Sequence, residues 1–166
     1  MKVLPFCLLV CLLLLQAAAS EFANATGGPG LENDMPDRYE KFRRQHVDKK
    51  MVPSKCTQEM KRKKIYEDNN VCKLTNTFIL ADSREVLDVC RGQGVYNNES
   101  HYTESKKKFR IVVCTAKKQG RKPKCLYKGR SLNNRVIAVT CQNGYPVHFA
   151  EYYGEENAFK QDANIF

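Results

Sequence analysis

Three histidines occur in the chain: His46, His101 and His148. Imidazole ordinarily titrates close to neutrality, so two of them can take a proton at one atom and deliver one at another. In a basic chain most histidines are packing or surface residues, and His101, in a polar stretch, is assigned no chemistry. His46 and His148 differ through their neighbours. His46 lies within Lys41-Phe42-Arg43-Arg44-Gln45-His46-Val47-Asp48, and His148 within Pro146-Val147-His148-Phe149. Lys73, in Cys72-Lys73-Leu74-Thr75-Asn76-Thr77-Phe78, adds a cation. Base, acid and cation together suit a reaction that moves protons while negative charge builds up.

Residues so far apart in sequence need a fold to join them. Asp37-Arg38-Tyr39-Glu40 reads as a helix start, with an acid at the N-cap and Glu three residues on. Tyr39, Phe42 and Val47 give that helix a buried stripe running past His46. A second helix is expected over 55–66, with Met60 in the core and its lysines solvated, and a third over 83–89. A short strand is expected over 77–80. The C-terminal half reads as sheet, with strands over 109–115, 124–128, 135–142 and 145–153. Asn143-Gly144 supplies the hairpin turn between the last two. The fold class is α+β: three short helices packed on a curved antiparallel β-sheet.

The first nineteen residues read as a secretory signal, with Lys2, an apolar run over 3–15, and Ala17-Ala18-Ala19 as the cleavage pattern. That run is too short to span a bilayer comfortably. Residues 20–36, with Gly27-Gly28-Pro29-Gly30, read as a flexible leader, and 37–166 as the folded domain. The product is therefore expected to be secreted and extracellular. Cys7 and Cys11 fall inside the signal, leaving Cys56, Cys72, Cys90, Cys114, Cys125 and Cys141. An even set in a small secreted chain reads as three disulfides, whose pairing the spacing leaves open. None of these cysteines stands in a CxxC pair, so a zinc site is the weaker reading, and neither metal nor other cofactor is expected. Asn24-Ala25-Thr26 and Asn98-Glu99-Ser100 are N-glycosylation acceptors. The net charge of +10 favours polyanionic partners, namely RNA, heparan-type glycans or an anionic bacterial envelope, although it also serves simple solubility.

The three strings around His46, Lys73 and His148, in that order, resemble the signature strings of the pancreatic ribonuclease superfamily, and they span essentially the whole folded domain. Six cysteines rather than eight, with the compact Cys141-Gln142-Asn143-Gly144-Tyr145-Pro146-Val147-His148 hairpin, resemble angiogenin and its vertebrate relatives. The resemblance implies the pairing Cys56–Cys114, Cys72–Cys125 and Cys90–Cys141. It implies a metal-independent, pyrimidine-preferring endoribonuclease that acts as a monomer on single-stranded RNA. Attack by the 2′-hydroxyl would give a 2′,3′-cyclic phosphate, with His46 as base, His148 as acid and Lys73 stabilising the transition state. By the same similarity Gln45 and the Phe149 backbone N–H bind the scissile phosphate, Thr77 reads a pyrimidine with Asn76 in support, and Lys41 and Arg44 hold neighbouring phosphates.

The sequence also departs from that pattern. Ala150 stands where the family has an aspartate that orients the second histidine, which implies reduced activity. Strand alternation is expected to turn Glu151 away from His148. Gln142 replaces a glutamate that contacts a second base, and the long tail through Phe159 to Phe166 reads either as a frayed terminus or, by resemblance to angiogenin, as a segment that obstructs the base site. Lys61-Arg62-Lys63-Lys64 stands at the position of angiogenin's nuclear-targeting arginines; the run reads either as the solvated face of a helix or, by that resemblance, as a signal for uptake to the nucleus or nucleolus. Two alternative functions follow: an angiogenin-like signalling ligand for a cell-surface receptor, and a cationic antimicrobial protein in which nuclease activity is weak.

Overall fold

The computed structural model describes residues 34–154. The signal over 1–19, the leader as far as residue 33, the acceptor Asn24 and the tail over 155–166 lie outside the described residues. Helix α1 (Asp34–His46) comes first, then a 3-10 turn (Pro53–Lys55) that runs into α2 (Cys56–Arg62). Strand β1 (Thr75–Ile79) precedes α3 (Ser83–Leu87), which continues as a 3-10 turn (Asp88–Cys90). Strands β2 (Gly94–Asn97), β3 (Tyr102–Ser105), β4 (Phe109–Ala116), β5 (Tyr127–Gln142) and β6 (Tyr145–Tyr153) complete the described chain. Among the described residues this is the α+β arrangement of three helices on an antiparallel sheet.

Helix α1 begins at Asp34, so Asp37 lies inside it rather than capping it. Pro36 falls in the first turn, where no helical partner awaits its missing N–H and its fixed φ suits the helix. The last turn collects Arg43, Arg44 and His46 at the negative end of the helix dipole. Helix α2 is shorter than 55–66, because Lys64 turns to a φ of 53° and the Ile65 N–H donates back to the Met60 carbonyl at 2.9 Å. Met60 is buried, as its place in the pattern required. Lys63 is not solvated: its side chain is 11% exposed, with Nζ 3.2 Å from Asp48 Oδ2 and 5.7 Å from the Phe78 ring centre.

The sheet order is β1-β4-β5-β3-β2, with β6 also paired to β5. Strand β5 is the common member. Its first part, Tyr127 to Arg135, pairs with β4, and its second, Val136 to Gln142, pairs with β6. One continuous strand thus replaces the two expected over 124–128 and 135–142. The connecting residues Arg130, Ser131, Asn133 and Asn134 are exposed and polar, so they lack the apolar signature of a strand; Arg130 and Ser131 are held in the ladder opposite Val113 and Val112. An extra residue between Leu132 and Arg135, with Asn134 at φ 54°, makes a bulge opposite Phe109–Ile111, and such bulges bend a sheet. Strands β2 and β3, for which the sequence carried no expectation, are only four residues each and mostly not buried.

Two apolar clusters fill the interior. Phe42 of α1 packs with Ile79, Val86, Val89, Ile111, Ile137 and Val139, while Met51, Met60, Ile65, Phe78 and Val112 form the other. Three disulfides tie the layers: Cys56–Cys114 joins α2 to β4, Cys72–Cys125 joins the approach to β1 with the approach to β5, and Cys90–Cys141 joins the turn after α3 to β5.

Candidate active site

The end of α1 and the residues just after it are fastened to β1 at three positions. Asn76 Nδ2 donates to the Gln45 carbonyl at 2.9 Å, His46 Nδ1 lies 2.9 Å from the Thr77 carbonyl, and the Asp48 N–H donates to the Ile79 carbonyl at 3.0 Å. Because a carbonyl only accepts, His46 must carry its proton on Nδ1, which leaves the Nε2 lone pair open. The ring is 7% exposed. It stacks on Phe149 at 5.2 Å and 17°, and meets Phe42 at 5.4 Å. Burial pushes its pKa down to about 3, reinforced by the charge of Lys73 and by His148 and opposed by the Thr77 hydrogen bond. His46 is therefore neutral at physiological pH.

His148 reaches the same cleft from the β5–β6 hairpin. Asn143 and Gly144 take φ of 48° and 76°, the pair of positive values that a tight two-residue hairpin demands. The hairpin is braced from both sides. Arg38 of α1 donates to Gln142 Oε1, and Arg91 donates to the Gly144 carbonyl at 3.1 Å while stacking over Tyr145 at 4.7 Å. His148 pairs with Thr140, Phe149 with Val139, and Glu151 with Ala138, so Ala150 is an extra, bulged residue. The bulge interrupts alternation. Residues directly opposite share a face, so Glu151 lies on the same face as His148, contrary to the expectation from simple period-two counting. It does not take the missing aspartate's place, because its Oε1 accepts from the Tyr153 hydroxyl at 2.6 Å.

Lys73 emerges just before β1, next to Cys72, whose disulfide and bridge to Tyr66 fix the backbone there. It is half-buried, and burial with the nearby charge of Lys41 lowers its pKa against the opposing pull of Glu67. His46, Lys73 and His148 line one cleft of about 450 Å³. Gln45, Lys41 and Phe149 line it too, so the structure brings together six of the residues singled out in the sequence.

Three others stand apart from that lining. Arg44 donates to the Lys63 carbonyl at the end of α2 and so braces α1 against α2. Asn76 is buried as the clamp on Gln45. Thr77 is 4% exposed, and its carbonyl is committed to His46. The cleft also recruits residues that sequence reasoning passed over: Arg38, Tyr66, Glu67, Asp68 and Val147. Arg38 carried a signal, since it lies near Lys41 and Gln45 on one helix, but Glu67 and Asp68 stood in a polar stretch with no periodicity.

Elsewhere, Asn98 is exposed in the β2–β3 turn, the setting a glycan acceptor needs. His101 lies 3.3 Å from the Tyr96 hydroxyl and does not line the cleft. In the basic run over 61–64, Lys63 is paired with Asp48 and Arg62 with Glu59 at 2.6 Å, so Lys61 and Lys64 project the charge that remains unpaired among the described residues.

Comparison with known proteins agrees with this geometry. The model of the family described as pancreatic ribonuclease matches residues 37–150. Ribonuclease-like 3 of Danio rerio is 32% identical over 146 residues, covering 86% of this chain and 93% of the relative. Angiogenin of Oryctolagus cuniculus is 32% identical over 139 residues, covering 82% and 87%. Among solved structures, zebrafish RNase5 superposes with a TM-score of 0.67 at 38% identity, covering 74% of this chain and 99% of its own. With its fold, its three cross-links and this cleft, the chain belongs to the pancreatic ribonuclease family.

Proposed function

We propose that the protein is a secreted, metal-independent endoribonuclease that cleaves single-stranded RNA on the 3′ side of pyrimidines. One observation carries the reading: a buried neutral imidazole with a free Nε2 shares a single cleft with a second, exposed imidazole and a half-buried ammonium. In the first step His46 Nε2 takes the 2′-hydroxyl proton as the 2′-oxygen bonds to phosphorus. His148 gives a proton to the departing 5′-oxygen, so the products are a 2′,3′-cyclic phosphate and a free 5′-hydroxyl. Lys73, Gln45 and the Phe149 N–H stabilise the charge that develops on the phosphoryl oxygens. An anionic phosphate in the cleft offsets Lys73 and raises the proton affinity of His46 from its depressed resting value, as a general base requires. DNA, without the 2′-hydroxyl, is not cut. Thr77 would contact the pyrimidine and Lys41 a neighbouring phosphate, while Arg44, engaged at the end of α2, would contribute only if it left that carbonyl.

The test is cleavage of a fluorogenic RNA with a single pyrimidine–purine step by wild type and His148→Ala. Wild type should cut, and the variant should lose about two to four orders of magnitude in rate. Failure of both to cut would remove the enzyme reading. The similarity to angiogenins favours a second reading as a signalling ligand. His46→Ala separates the two, because endothelial stimulation retained without cleavage would show signalling to be independent of catalysis.

A further inference from the structure

The cleft carries two acids that the chemistry above does not use. Glu67 and Asp68 line it together with Lys73, Lys41 and Arg38. Their place is set by backbone structure. Tyr66 and Cys72 form an antiparallel bridge, the Glu67 N–H donates to the Val71 carbonyl at 3.0 Å, and the Val71 N–H returns to the Asp68 carbonyl at 3.2 Å. Asn69 and Asn70, at φ 56° and 60°, supply the left-handed backbone that this reversal needs. Cys72 is cross-linked to Cys125, so the tight loop presenting Glu67 is tied to the same anchor as Lys73.

Neither carboxylate has a hydrogen-bond or ion-pair partner among the described residues. Glu59, Glu85 and Asp82, by contrast, are each paired with a cation. The Glu67 and Asp68 side chains are both exposed, so water and salt screen them, but in a cleft built for a phosphodiester a carboxylate's charge still has the wrong sign. We propose that Glu67, seconded by Asp68, is a specificity-determining residue that repels the RNA phosphate at the cleft and so sets the KM of the enzyme. This rests on the ribonuclease reading above. The effect falls on the phosphate in ground and transition states alike, so it belongs in KM rather than kcat. The same carboxylate supports the charge of Lys73 against burial and Lys41, which gives the proposal a second signature.

Glu67→Gln tests it against Glu99→Gln, which changes net charge equally at the exposed β2–β3 turn. On a single-stranded oligoribonucleotide at low salt, Glu67→Gln should lower KM about three- to tenfold with kcat little changed, the gain shrinking as salt screens it. The Lys73 ammonium, whose charge Glu67 supports, should lose its proton at lower pH in Glu67→Gln, followed by NMR titration of the Lys73 side chain. Glu99→Gln should change neither. A KM equal to or above wild type, an unmoved Lys73 titration, or an equal gain from Glu99→Gln would each overturn the proposal. Titration with inorganic phosphate, followed through the imidazole resonances of His46 and His148, separates it from the cleavage reading. Tighter phosphate binding by Glu67→Gln in a protein that cuts no RNA would sustain the repulsion while the nuclease assignment fell, and unchanged binding in a protein that cuts RNA would end the repulsion and leave the nuclease assignment standing.

Discussion

At the scale of single residues, His46 is the most consequential group, and its cost is measurable. Its folded pKa of about 3 lies below the ordinary value of 6.5. The unfolded chain therefore binds a proton between those values that the native protein does not, and stability rises with pH across that window. Acidification from neutrality toward pH 4 should cost on the order of 3 kcal/mol through this group, and His46→Gln should remove most of that dependence. Urea unfolding at pH 7 and pH 4 for both proteins checks this, and parallel losses would refute the assignment. His148, exposed and without a carboxylate from Ala150, is less constrained. Ala150→Asp should restore an orienting acceptor and raise kcat/KM several-fold, roughly 1 kcal/mol of transition-state stabilisation, in the same RNA assay. No gain would mean that the bulge already aims the ring.

At the scale of elements, the site depends on how firmly the last turn of α1 is held to β1. The Asn76 clamp on the Gln45 carbonyl lies beside the His46–Thr77 contact, so one strand aligns Gln45 and His46, the groups proposed to bind phosphate and to accept the proton. Asn76→Ala leaves the half-buried Gln45 carbonyl without its side-chain donor and should cost about 1–3 kcal/mol in stability. It should also depress kcat at temperatures where the variant remains folded. Thermal unfolding and steady-state kinetics on the same preparation distinguish misalignment from simple unfolding. A stability loss with unchanged kcat would show that the clamp supports the fold and not the geometry.

At the scale of the whole molecule, charge and cross-links dominate. Opening Cys56–Cys114, which closes a separation of 58 residues, by a double alanine substitution should cost about 4 kcal/mol, read from denaturant midpoints. Binding of a non-cleavable oligodeoxynucleotide should weaken as salt rises, with a slope of about −0.7 in log K per log salt for each phosphate neutralised. A flat salt response would argue that the charge of +10 serves solubility rather than a polyanion.

The sequence by itself determined the family and most of the elements. Strings around His46, Lys73 and His148 pointed to the proposed acid–base set, Asn143-Gly144 marked the hairpin, and the Phe42 and Met60 positions marked the cores. These signals are local, because turn propensity and apolar spacing act over a few residues. Only the tertiary structure decided the rest. Strand β5 is continuous through polar residues because its neighbours supply the hydrogen bonds, which no window of sequence records. The bulge at Ala150 turns Glu151 to the face of His148, because register depends on the partner strand. Arg44 and Lys63, which look like free cations in the sequence, are engaged by the end of α2 and by Asp48. The depressed pKa of His46 and the presence of Glu67 in the cleft likewise arise from what folding brings close, since burial and charge act through space rather than along the chain.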